Sequence, residues 1–178
     1  MASFSDAHEC VEIPYIAANL HNLMLPAQSL IWAVLHDDDS TSRTIYTLAA
    51  TFLGRICLSG EIETLTNEKK ELLKEAFEFY KLLENIIRDG QTKIYGNRGK
   101  NSRYPTGTQA VLRKTDKEAY VICHAFENPC EDNIEIELDN SFEIKNVFGE
   151  GTATIKGNKL LIKPMNSFSA LAVYMKVK

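Results

Sequence analysis

The periodicity of apolar residues changes near residue 91, and that change constrains the fold more than any other property of the chain. Upstream, apolar positions recur at steps of three and four, as on one face of a helix; downstream they alternate, as along a half-buried strand. A chain of 178 residues has room for one ordinary domain or two small ones. The switch therefore predicts an α/β part followed by an all-β part.

The sharpest helical pattern covers residues 67–88, where Leu72, Leu73, Ala76, Phe77, Tyr80, Leu83, Ile86 and Ile87 form one stripe. Glu68 and Glu71 suit the positive end of such a helix, Arg88 suits the other end, and Gly90 ends it. A second helix is expected over residues 15–24, between Pro14 and Pro26, and a third over 41–53, opened by Asp37-Asp38-Asp39-Ser40 and closed by Gly54. The three aspartates read as acidic residues opposing a helix dipole on a wet loop rather than as metal ligands. Between the helices lie Ser29-Leu30-Ile31-Trp32-Ala33-Val34-Leu35 and Arg55-Ile56-Cys57-Leu58-Ser59, too short for helices and not alternating. Such runs suit strands buried on both faces of a parallel sheet. With Ala2-Ser3-Phe4-Ser5 as a third strand, the order is strand, helix three times over, the rhythm of a barrel or a doubly wound sheet.

Residues 91–105 are polar and carry Gly96, Gly99 and Asn101, and so read as a linker with little structure. Strands follow at 108–114 and 120–125, at 134–139 where Ile134, Ile136 and Leu138 alternate with acids, at 142–148, at 152–156 and 159–163 around Gly157-Asn158, and at 169–177. That spacing predicts an antiparallel sandwich. The division expected is residues 1–92 as part of a barrel, 93–107 as linker and 108–178 as a β-sandwich domain.

Charge and cysteine content narrow the partners. With 20 basic and 24 acidic side chains the formal charge is -4, which argues against nucleic acid. No apolar run approaches the roughly 18–20 residues of a membrane span, and the first residues lack the regions of a signal peptide. Cys10, Cys57, Cys123 and Cys130 have neither CxxC pairing nor zinc-like spacing, so buried thiols of a cytoplasmic protein are expected.

The densest cluster of reactive side chains is Ser5-Asp6-Ala7-His8-Glu9-Cys10, just past the first expected strand. In a barrel that is the face where active sites are built. Glu12 stands where an HExxH motif would need its second histidine, and Cys10 and His8 are too close in sequence to meet well. Acid/base work by Asp6 or Glu9 needs only one carboxyl held in a cleft. Polar loop residues without a catalytic role remain the plain alternative.

The stretches Ser3-Phe4-Ser5-Asp6-Ala7-His8-Glu9, Ile13-Pro14-Tyr15-Ile16-Ala17-Ala18-Asn19-Leu20-His21, Leu25-Pro26-Ala27-Gln28-Ser29-Leu30-Ile31-Trp32-Ala33-Val34 and Phe52-Leu53-Gly54-Arg55-Ile56-Cys57-Leu58-Ser59-Gly60 resemble the last barrel segments of glycoside hydrolase family 36, the melibiase-type α-galactosidases. The resemblance implies the last three βα units of a (β/α)8 barrel followed by a β-sandwich. It implies Asp6 as the catalytic acid/base, with Ser5, His8 and Glu9 shaping the substrate site. Glu9 stands where many relatives have aspartate. The family's nucleophile, an aspartate in a Lys-Trp-Asp-like context, has no counterpart here, since the one tryptophan, Trp32, precedes Ala33. The resemblance thus implies the carboxy-terminal piece of a retaining enzyme acting on α-galactoside oligosaccharides, inactive alone, without metal or cofactor, and prone to self-association through its incomplete barrel.

A rival reading is a non-catalytic carbohydrate-binding or interaction module, with sugar held by Tyr95 or Tyr104. Trp32 is expected in the core, and His21, His36 and His124 have no partners at useful spacing.

Overall fold

The structure, a computed structural model, describes residues 2–3, 10–96, 103–130, 132–164 and 166–178. In the first part the strands β1 (Ala2–Ser3), β2 (Ser29–Leu35) and β3 (Arg55–Gly60) alternate with helices α1 (Ile13–Leu20), α2 (Thr41–Thr51), α3 (Asn67–Lys81) and α4 (Glu84–Asp89). The three strands form one parallel sheet in the order β1-β2-β3. Among the described residues this sheet does not close into a barrel.

The second part is antiparallel. Strands β4 (Gln91–Tyr95), β5 (Thr108–Lys114), β6 (Glu118–Ala125), β8 (Phe142–Gly149) and β11 (Ala170–Val177) make a sheet ordered β4-β5-β6-β11-β8. Strands β7 (Ile134–Glu137), β9 (Gly151–Lys156) and β10 (Lys159–Pro164) make another, ordered β7-β10-β9. The β9–β10 hairpin turns at Gly157, whose φ of 61° is the left-handed geometry a two-residue turn needs at its first position.

Side-chain alternation explains how the halves join. In β11, Leu171, Val173 and Met175 enter a core shared with Ile136, Leu160 and Ile162 of the small sheet. Ala170, Ala172 and Tyr174 face the other way, into a core shared with the helices. The five-stranded sheet is therefore buried on both faces, and its strands read as near-continuous apolar runs although they are antiparallel.

Helix α2 is the centre of that second core. Residues 44–51 are all buried, between the Ile31–Ala33–Leu35 face of β2 on one side and β6, β8 and β11 on the other. Ala49 and Ala50 keep the approach close, and the hydroxyls of Thr44 and Thr51 donate to Ser40 O and Leu48 O. Phe52 stacks on Phe79 at 5.3 Å and meets Phe148 edge-on at 5.3 Å.

Several expectations are corrected. Residues 91–95 are a strand, not linker: an edge strand tolerates exposed Gln91 and Lys93 while Ile94 and Tyr95 pack inward on opposite faces. The long helix is two, because Leu82 and Leu83 close α3 with bonds to Phe79 O and Tyr80 O, and α4 then redirects Ile86 and Ile87 into the core. On α3 the inward aromatic is Phe79, 2% exposed, and Phe77 is the outer one. Helix α1 takes Pro14 into its first turn and ends at Leu20, after which turns carry the chain to Met24. Trp32 is half-buried on the sheet face opposite the core.

Candidate functional site at the carboxyl ends of the parallel strands

Parallel pairing with Leu35 opposite Gly60 sets the carboxyl ends of β2 and β3 side by side. Glu61 N–H donates to Leu35 O at 2.8 Å, locking that rim. Gly60 has a φ of 93°, and a Cβ there would stand 2.2 Å from Leu35 O, so only glycine fits. The same register brings His36 Nδ1 to 3.4 Å from a Glu61 carboxylate oxygen, with the two side chains 27% and 56% exposed. His36 therefore has a partner that sequence spacing did not suggest. The pair offers an acceptor and a donor to a polyhydroxylated ligand.

The aspartates of the β2–α2 loop serve the loop itself. Asp37 accepts from the Thr66 N–H at the start of α3 at 2.7 Å, and Asp39 accepts from His36 N–H and pairs with Arg43 at 2.9 Å. Lys69, buried on α3, donates to the His36 and Asp37 carbonyls. Ser40 caps α2 by accepting the Arg43 N–H at 3.2 Å. Among the described residues no group of three or more histidine, cysteine, aspartate or glutamate side chains could hold a metal, and no disulfide joins the four cysteines. Among the described residues no helix is long and apolar enough to cross a membrane.

Strand β1 pairs in parallel with Ser29 and Leu30. Ser5, Asp6, His8 and Glu9 follow it in sequence and lie outside the described residues. The chain is next anchored at Cys10, 4% exposed, and at Val11, whose carbonyl accepts from the Tyr46 hydroxyl at 2.8 Å. Gln109 of β5, fully buried, donates to Pro14 O at 3.0 Å. The entry to α1 is thus held by both halves of the molecule.

The buried ionisable groups lie elsewhere and join the halves. Arg113, fully buried on β5, donates to Leu53 O from both terminal nitrogens at 3.3 Å, to the Tyr120 hydroxyl at 2.6 Å and to Thr92 Oγ1 at 2.9 Å. Tyr120 in turn donates to Phe52 O at 3.0 Å. Burial pushes the Tyr120 hydroxyl up to about 12, outweighing Arg113. His124 contacts Tyr46 O through Nε2 at 3.2 Å and meets the Tyr46 ring edge-on at 4.9 Å; burial lowers it to about 4. Burial likewise raises the Cys123 thiol.

The aromatics proposed from sequence differ. Tyr95 is half-buried with the Lys93 ammonium 4.9 Å from its ring centre, whereas Tyr104 is 67% exposed. The Gly149-Glu150-Gly151 segment is a turn, and Glu150 accepts from the Ser42 hydroxyl at 2.8 Å.

A parallel strand–helix part with antiparallel sheets packed on it is an arrangement found in glycoside hydrolases. An α-amylase structure from Anoxybacillus aligns over 95% of this chain and 46% of its own, at 15% identity and a TM-score of 0.54. The likeness is greater to family 36 α-galactosidase structures. The AgaA α-galactosidase of Geobacillus stearothermophilus, bound to 1-deoxygalactonojirimycin, aligns over 98% of this chain at 14% identity and a TM-score of 0.69. The galactosidase domain of the α-galactosidase–sucrose kinase AgaSK aligns over 98% at 12% identity and a TM-score of 0.67. This chain spans 25% of the length of each of those two structures. AgaA structures hold raffinose and stachyose. No family model and no curated protein matches the sequence. The fold resemblance read from the sequence is therefore borne out over nearly the whole chain, as a likeness to part of a family 36 enzyme.

Proposed function

We propose that the chain supplies the last three βα units and the β-sandwich of a retaining α-galactosidase, with Asp6 as its acid/base. The observation that carries this reading is strand β1, paired in parallel with β2 and ending at Ser3, three residues before Asp6. In barrels, catalytic groups come from the residues just past the carboxyl ends of such strands. Ser5, His8 and Glu9 belong to the same run and shape the sugar site.

Asp6 in its acid form protonates the glycosidic oxygen as the bond to galactose breaks. The resulting carboxylate then takes a proton from the water that releases the galactosyl group. The covalent intermediate needs a second carboxylate about 5–5.5 Å away, as nucleophile. That group comes from barrel strands outside these 178 residues. The outer strands β1 and β3 also offer edges to such strands, and the chain alone is expected to self-associate.

The test is a graft of this chain in place of the matching part of AgaA, with 1-deoxygalactonojirimycin binding as the control for an assembled site. The graft is expected to hydrolyse an aryl α-galactoside. Asp6→Asn should lower kcat/KM by about 10²–10⁴-fold while inhibitor binding persists. Full activity in that variant would remove Asp6 from the mechanism.

A further inference from the structure

Phe168 is the one bulky residue held at positive φ among the described residues, at 55°. Its backbone is fixed there by donation of its N–H to Ala125 O at 2.9 Å. The turn around it is closed by Ser169, whose hydroxyl accepts the Asn166 N–H at 3.0 Å and donates to Asn166 O at 2.6 Å. A left-handed phenylalanine persists only where its surroundings impose it, and such residues cluster at ligand sites. The outcome is a ring 39% exposed, set edge-on to Tyr46 at 6.4 Å.

That ring lines a cleft of about 720 Å³ with Tyr104, Arg103, Glu12 and Glu127. A neighbouring cavity of about 390 Å³ shares Val11 and Phe168 and runs to Ser40 and Arg43 at the start of α2. That neighbouring cavity thus reaches the start of the helix that follows β2, and Val11 follows the Ser5–Glu9 run by two residues. Among the described residues the cleft's lining brings two aromatic rings, two carboxylates and one guanidinium. Sites of this size with aromatic walls and a few polar groups suit small ligands. Aromatic faces pack against the C–H faces of sugar rings, while carboxylates and guanidinium take hydroxyl hydrogen bonds. Aromatic faces with carboxylates that accept from hydroxyls suit a neutral saccharide better than a phosphate or another anion.

We propose that the Phe168–Tyr104 cleft binds the leaving-group sugars of an α-galactoside oligosaccharide, with Phe168 and Tyr104 as platforms. The assignment of these sugars to the leaving-group side rests on the galactosidase reading; the binding itself does not. Phe168 and Tyr104 would then set chain-length preference without touching the galactosyl ring.

The experiment titrates the full chain, labelled for amide NMR, with sucrose, raffinose and galactose. Sucrose and raffinose should shift the amides of Phe168, Tyr104 and Glu127, and galactose should not. Phe168→Asn keeps a residue that tolerates left-handed backbone and removes the ring. Both it and Tyr104→Ala should weaken sucrose binding about tenfold or more, with the amide spectrum outside the cleft retained. The titration reads binding to the chain alone and the AgaA graft reads turnover, so this subsite and the catalytic proposal fail separately. Equal shifts with galactose, unaltered binding in both ring variants, or no shift in the cleft at tens of millimolar sucrose would each overturn the subsite.

Discussion

Replacing Arg113 by methionine tests whether the two halves form one folding unit. The guanidinium is fully buried, and it stands on the carbonyl that follows α2, the negative end of that helix dipole. Methionine fills similar space but abolishes four hydrogen bonds and leaves Leu53 O, buried, and Thr92 Oγ1, half-buried, without that partner. Each lost acceptor costs roughly 1–3 kcal/mol, and removing a buried charge returns part of that. The net destabilisation is about 3 kcal/mol, a fall in Tm of about 6–12 °C for a chain of this length. Because Leu53 belongs to the helical part and Thr92 and Tyr120 to the sheet, both parts should lose stability together. Urea unfolding followed by Trp32 fluorescence and by far-UV circular dichroism reads the two. Coincident transitions shifted equally are expected. A loss below 1 kcal/mol, or a shift confined to one probe, would refute the reasoning.

His124 predicts an acid-sensitive fold. Its folded value of about 4 lies below the ordinary 6.5, because burial outweighs the Tyr46 hydrogen bond, so the fold holds the neutral ring. Stability from this group is full above pH 6.5 and lost as pH falls toward 4, by about 3 kcal/mol at pH 4. His124→Leu should flatten that slope in urea titrations across pH; an unchanged slope would assign it to other groups. At the start of α2, Ser40→Ala should cost about 1 kcal/mol and Ser40→Gly only a few tenths, since glycine is itself a tolerated cap. Equal losses for the two would show that the hydroxyl is not the cap. Analytical ultracentrifugation of the chain alone should show concentration-dependent association, and a monomer at high concentration would count against an incomplete barrel.

The strand–helix order was legible because Ser29–Leu35 and Arg55–Gly60 are short apolar runs bracketed by Pro26, Ser40 and Gly54. The downstream strands were legible from alternation and from Gly157-Asn158. Strand β4 was not, since an edge strand needs few apolar residues and Gln91-Thr92-Lys93 looks like loop. The His36–Glu61 pair depends on parallel register, which joins residues 25 apart that no local spacing connects. Arg113 gave no sign of burial, because its partners are backbone carbonyls and hydroxyls from two elements rather than an acid in a motif. Phe168 carries no glycine or asparagine signal for its left-handed backbone; tertiary hydrogen bonds impose it.

The role of Asp6 is tested most directly by azide rescue of Asp6→Asn in the AgaA graft. An acid/base variant lacks the group that activates water, so a small anion needing no deprotonation can take the place of water. The account predicts slow turnover of an aryl α-galactoside, accelerated by azide, with galactosyl azide of retained α configuration as product. Azide acceleration giving the β product, or activity indifferent to both the substitution and azide, would contradict it.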